Sequence, residues 1–202
     1  MDKTRFEAFS DGVFAVAITL LALDLTVAGP GHGSLAHQLG DRWPSFLAYV
    51  VSFFTIGIVA VNHHALFRQI ARVDRVLVFC NLLLLMFVVA IPFATATMAQ
   101  YLRDGGFDAR LAAALYAGMF VGMSVGFFLV FWWSIRRSLL VVPLDREQAR
   151  AAMLRFGVGN VVYVVAVALA FVSPIVALLL CAALAIYYVF EQTPTADAVT
   201  PT

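Results

Sequence analysis

Apolar runs of about twenty residues recur along the whole chain, at roughly 6–27, 46–67, 76–99, 110–135, 154–172 and 174–190. Most of the charged residues fall between them. A hydrocarbon core about 30 Å thick is crossed by about 20 apolar residues of helix. The pattern therefore predicts an all-α, polytopic membrane protein with six transmembrane helices. The last two runs are nearly continuous, and Ser173-Pro174 is the one break between them. Proline cannot continue the bonding of the preceding helix, so it suits a tight hairpin. One long kinked helix, leaving five spans, is the alternative. Residues 1–192 read as a single unit, and 193–202 as a polar tail with two prolines that is expected to be disordered. The loop at about 28–45 carries Gly29-Pro30-Gly31 and then Ser34 to Leu39, and predicts one or two short helices over the outer mouth.

Composition agrees. Of 202 residues, 63% are hydrophobic and 12% charged, with a mean hydropathy of +0.94. Soluble domains are about half apolar and about a quarter charged. A net charge of +1 argues against a nucleic-acid partner. Cys80 and Cys181 both fall in apolar runs and have neither disulfide nor metal spacing. Lys3 and Arg5 ahead of an apolar run resemble a signal peptide, but Glu7, Asp11 and Asp24 interrupt or flank that run. A retained helix is the better reading.

Orientation follows from Lys and Arg. Lys3, Arg5, Arg68, Arg72, Arg75, Arg136, Arg137, Arg146, Arg150 and Arg155 fall on one side, and Arg42, Arg103 and Arg110 on the other. Ten against three puts both termini in the cytoplasm, as expected for a multi-pass protein of the cell membrane. Arg68, Arg72 and Arg75 follow helical spacing and suit anionic lipid as well as ordinary topological charge.

The first span differs from the rest in holding Arg5, Ser10, Asp11, Thr19 and Asp24. Charge inside a membrane pairs or faces a water-filled space. At 100° per residue, Phe14, Ile18, Leu21 and Leu25 form a bulky face for lipid or a protein core. Ala8, Gly12, Ala15, Ala22 and Thr26 form a small-residue face that lets another backbone approach. Val16, Thr19 and Leu23 lie almost opposite the bulky face, one hydroxyl between two apolar side chains. Around an axis of several copies, such a line would make a narrow, mostly dry pore. Ordinary helix packing offers the same stripe.

The string from Arg5 to Leu21 contains Arg5, Phe9, Ser10 and Asp11 in the spacing Arg-x-x-x-Phe-Ser-Asp. It resembles the first helix of the transmembrane protein 175 family. Asn62-His63-His64-Ala65-Leu66-Phe67-Arg68, Arg72-Val73-Asp74-Arg75 and Asn81 to Leu85 resemble the family's second and third helices. Six spans in about 200 residues match the prokaryotic members with one repeat per chain.

The resemblance implies a potassium-permeable cation channel without a cofactor, assembled as a homotetramer with first helices around the axis. It also implies a fold lacking the usual potassium filter. This chain has no Thr-Val-Gly-Tyr-Gly loop; Thr55-Ile56-Gly57-Ile58 lies mid-span without the tyrosine. By alignment with the family's helix one, Val16 and Leu23 become the hydrophobic constriction, and Thr19 contributes to selectivity among potassium and other monovalent cations. Val16 is smaller than the leucine or isoleucine often found there, which implies a slightly wider constriction. Arg5, Phe9, Ser10 and Asp11 become a structural network with His63 of helix two, and His64 as second choice. A tryptophan expected near Phe79 is absent. Arg5 and Asp11, six residues apart, are expected to reach other helices through charge-assisted hydrogen bonds rather than each other.

Other features stay open. Asp24 suits an acidic ring at the pore mouth, or an interfacial carboxylate capping the next segment. Adjacent His63 and His64 point about 100° apart, which makes a poor metal pair. Gly118, Gly122 and Gly126 make a close-packing face within or between subunits. Pro92 and Pro174 suggest bends or breaks, and Trp132 and Trp133 beside Arg136 and Arg137 suggest an interfacial belt. A proton-coupled small-solute transporter with a His63, Asp11 and Arg5 relay is the alternative function. An intramembrane enzyme is disfavoured, because no nucleophile–base spacing, metal motif or phosphate loop is present.

Overall fold

The computed structural model describes residues 2–190. The predicted tail 193–202, and the last two residues of the predicted unit 1–192, lie outside the described residues. The fold is all-α. Its elements are α1 (Lys3–Leu20), continued by a 3-10 turn over Leu21–Asp24, α2 (Leu35–Asp41), α3 (Trp43–Gln69), α4 (Arg75–Tyr101), α5 (Gly106–Arg136), α6 (Arg146–Ala170) and α7 (Pro174–Phe190). Five helices are long and apolar enough to cross a membrane, with a shorter apolar helix over Pro174–Tyr188. The chain is thus a multi-pass membrane protein.

Local chemistry fixes where these helices begin. Asp2, Ser34, Asp74 and Asp145 cap α1, α2, α4 and α6 by accepting backbone N–H groups. At α6, Asp145 accepts Gln148 N–H at 2.7 Å while the Gln148 side chain accepts Asp145 N–H at 3.2 Å, a reciprocal capping box. Helix α6 therefore starts at Arg146, well before the predicted apolar run at 154. Hydropathy does not register a polar first turn.

Other expectations take definite form. A single short helix, α2, occupies the loop after the first span. Pro92 does not end α4, which runs unbroken to Tyr101. Pro174 does begin a new helix: Phe171 and Val172 form a turn, and α7 folds back against α6 as a hairpin rather than extending it.

Loop contacts sort the helix ends into two layers. At one end, the Phe6 and Phe67 rings meet at 5.8 Å. There too the α3–α4 and α5–α6 turns pair through an antiparallel bridge between Ile70 and Leu140. At the other end, Arg103 after α4 binds Asp41 of α2 at 2.8 Å. Successive long helices therefore alternate in direction.

Helices α4 and α5 form the most extensive pair. Two glycines of α5 permit it: a Cβ on Gly126 would come 2.7 Å from the Leu84 backbone, and one on Gly122 would strike the Phe87 ring. Gly118 faces open space within the chain. Buried hydroxyls stitch the core further. Ser52 Oγ lies 2.8 Å from Thr95 Oγ1 and 3.0 Å from Tyr116 OH, joining α3, α4 and α5.

Candidate functional site

Helix α1 packs against α3 and α4 through Phe6, Ser10, Phe14 and Ala17, with Leu21 of the 3-10 turn continuing the stripe. The bulky face is thus protein core. Among the described residues, nothing packs on the opposite side. Val16 is 55% exposed and Leu23 69%, and Thr19, Gly12, Ala15 and Ala22 are also exposed. A Cβ on Gly12 would meet nothing within 4 Å.

The 3-10 turn changes the register of this face. It winds at three residues per turn, which carries Leu23 roughly 60° further round than an α-helix would over three residues. Leu23 still lies on the exposed side, and Asp24 with it. The Thr19 hydroxyl donates to Val16 C=O at 2.8 Å. With its one proton engaged in the helix, Thr19 offers the surroundings only oxygen lone pairs.

On the buried side, a directed chain of hydrogen bonds crosses three helices. Ser10 Oγ donates to Phe6 C=O at 3.1 Å, so it accepts from Asn81 Nδ2 at 2.9 Å. That leaves Asn81 Oδ1 as the acceptor facing His63 Nε2 at 2.7 Å, and His63 must carry its proton on Nε2. Phe67 stacks on the His63 ring at 4.3 Å, and Phe14 meets it edge-on at 5.2 Å. His63, Asn81 and Ser10 are all buried. A polar group in an apolar surrounding is costly unless bonded, so this chain fixes α1 against α3 and α4 in one register.

Ser10 and His63 are therefore brought together. Arg5, Phe9, Asp11 and His64 are not: all four side chains are exposed. Among the described residues, neither Arg5 nor Asp11 has a hydrogen bond or ion pair to another helix, so the expected charge-assisted bonds are not made within the subunit. Their free sides lie on the face of α1 that the chain leaves uncovered. Phe79 also points outward, with the Arg75 guanidinium 5.9 Å from its ring centre.

Asn81 stands inside a family-like motif yet is not among the candidate residues that the sequence alone singles out. Its signal was an amide in the middle of an apolar span. Asp74 was a second. It caps α4 through Leu77 N–H at 2.8 Å, and both its carboxylate oxygens accept the Trp133 indole N–H at 3.1 and 3.0 Å. Partial burial of this carboxyl disfavours its charge. The Leu77 N–H, the Trp133 indole, the Arg137 guanidinium and the Val76 N–H favour it and prevail, holding Asp74 below the usual carboxylate range. The predicted aromatic belt also has a defined geometry: Arg136 lies over Trp132 at 5.6 Å and Arg137 over Trp133 at 5.4 Å.

Residues 5–92 match the family described as "Endosomal/lysosomal potassium channel TMEM175". The chain is 48% identical over 204 residues to a potassium channel of Streptomyces collinus, covering 99% of this chain and 98% of that one. It is 40% identical over 194 residues to a potassium channel of Chamaesiphon minutus, covering 93% and 94%. The crystal structure of a lysosomal potassium-selective channel TMEM175 homolog from Chamaesiphon minutus superimposes with a TM-score of 0.82 at 39% identity, over 93% of this chain and 96% of that one.

Proposed function

This chain belongs to the TMEM175 family, and from that membership we propose that it is a potassium channel whose pore is lined by α1. Four copies converge on the uncovered face of α1. Val16 and Leu23 form a hydrophobic constriction, and Thr19 presents a ring of hydroxyl oxygens to a partly dehydrated potassium ion. Asp24 sits at the mouth and concentrates cations there. Exposed Gly12, Ala15 and Ala22 let neighbouring backbones approach closely, and Arg5 and Asp11 find their partners on adjoining copies. The protein lies in the cell membrane with both termini cytoplasmic, following the ten-to-three distribution of basic residues.

One observation carries this reading. The line Val16, Thr19 and Leu23 is exposed directly behind a buried stripe of α1, and the threonine proton is already spent on its own helix. An outward hydroxyl with lone pairs alone suits a cation. The relay alternative has less support, because no hydrogen bond or ion pair joins Arg5 or Asp11 to His63 among the described residues.

The test is reconstitution of purified protein in a planar bilayer with opposing potassium and sodium gradients. Passive currents whose reversal potential follows potassium are expected. Slow, saturable flux coupled to a second solute would replace the channel reading with the transporter.

A further inference from the structure

A groove of about 800 Å³ runs along the outer side of α6, beside Phe128 of α5. Its wall is apolar over Met153, Leu154, Val158 and Val162, and Arg146 and Arg150 stand at one end. Both arginines are exposed, and among the described residues neither has an ion-pair partner. They occupy the first two turns of α6, where the helix macrodipole disfavours cations. Helix stability therefore does not explain them; the charge bias noted above accounts for their side of the membrane, and an anion from outside the chain would neutralise them at the groove.

The dimensions indicate which anion. From Arg150 to Val162 is 12 residues, a rise of roughly 18 Å, against about 15 Å for half of a 30 Å hydrocarbon core. By that measure the groove matches the length of one leaflet, which would set the guanidiniums at headgroup depth. The same end carries Arg136 and Arg137 stacked on Trp132 and Trp133, residues that favour the membrane interface. We infer that the groove is a binding site for an anionic phospholipid of the arginine-rich leaflet, its phosphate held by Arg146 and Arg150 and one acyl chain lying along α6. Guanidinium geometry matches phosphate, and the apolar wall matches the chain. Helix α6 packs on α5 and α7, whereas α1 packs on α3 and α4, so the site does not depend on the pore assignment.

Photoactivatable phosphatidylglycerol and phosphatidylcholine, with the reactive group in the acyl chain, test this on the full chain in liposomes. Crosslinks are mapped to residues 149–162. Two arginines at the headgroup should favour the anionic lipid roughly 10–30-fold. The Arg146→Gln/Arg150→Gln double variant should reduce phosphatidylglycerol labelling to the phosphatidylcholine level. Val158→Trp, which fills the groove and keeps both arginines, should abolish labelling by either lipid. Equal labelling by the two lipids, or phosphatidylglycerol labelling unchanged in the double variant, would overturn the proposal. So would absence of lipid labelling together with Val158→Cys crosslinking between copies, because a second subunit would then fill the groove.

Discussion

His63 Nε2 lies 2.7 Å from Asn81 Oδ1, and that amide passes the bond on to Ser10 at 2.9 Å. One side chain of α4 thereby holds α1 and α3 together in an otherwise apolar setting. Replacing Asn81 by Leu leaves the His63 N–H buried without an acceptor, at a cost of about 1–3 kcal/mol. Ser10→Ala leaves one Asn81 amide proton without its acceptor but keeps the His63–Asn81 bond, whereas Asn81→Leu breaks both, so Ser10→Ala should cost less. Thermal unfolding in detergent should rank Asn81→Leu below Ser10→Ala. The reverse order would mean that Asn81 is not the hub.

The proposed pore line of Val16, Thr19 and Leu23 makes an electrical prediction. Val16→Ala and Leu23→Ala should each raise single-channel conductance. A dewetting barrier lowered by about 0.5 kcal/mol gives roughly a twofold increase. Thr19→Val should leave conduction possible but bring potassium and sodium permeabilities closer, because the oxygen ring is lost. Unchanged currents in both alanine variants would remove α1 from the pore.

Asp24 predicts a salt-dependent effect. Asp24→Asn should lower cation current at low ionic strength and have little effect near 1 M salt, where charges are screened within about 3 Å. An equal reduction at both salt concentrations would indicate a structural carboxylate instead.

Helix α5 packs on α4 where Gly126 faces the Leu84 backbone. Gly126→Val must push two helices apart, and overpacking of this kind costs about 1–3 kcal/mol. Gly118→Val, facing open space within the subunit, should be tolerated unless a neighbouring copy covers it. Comparing the two melting temperatures separates packing inside the subunit from packing between subunits.

Asp74 predicts an acid-sensitive latch between α4 and α5. Its folded pKa is depressed, so the stability it contributes is fully present above the ordinary carboxylate value of about 3.9 and is lost as pH falls through the lower folded value. Melting temperature should therefore be insensitive to Asp74 between neutral pH and pH 5. Asp74→Asn, which keeps a side-chain oxygen at the cap, should flatten part of the decline below pH 4. Trp133→Phe should do the same while leaving the α4 cap intact.

How much of this was legible beforehand differs by element. The long apolar spans, the hairpin at Ser173-Pro174 and the family motif from Arg5 to Asp11 could be read directly, because each depends on local composition. The Asp145 capping box was equally local but lay outside the apolar run and was passed over. The face of α1 that packs inward could be sorted into stripes but not assigned. Lipid and protein interior are both apolar, so periodicity alone does not tell Phe14 against a neighbour from Phe14 against a hydrocarbon tail.

The sequence by itself determined that the chain crosses a membrane repeatedly, which ends carry positive charge, and which family signature its first helix bears. Hydrophobic transfer and local backbone preference act within each segment and leave their mark there. Only the tertiary structure decided that Phe14 and Leu21 face the core while Val16, Thr19 and Leu23 stay uncovered, and that Asn81 and Asp74 bind across helices. Those outcomes depend on residues up to 71 positions apart meeting in space, and no single stretch of chain encodes its partner.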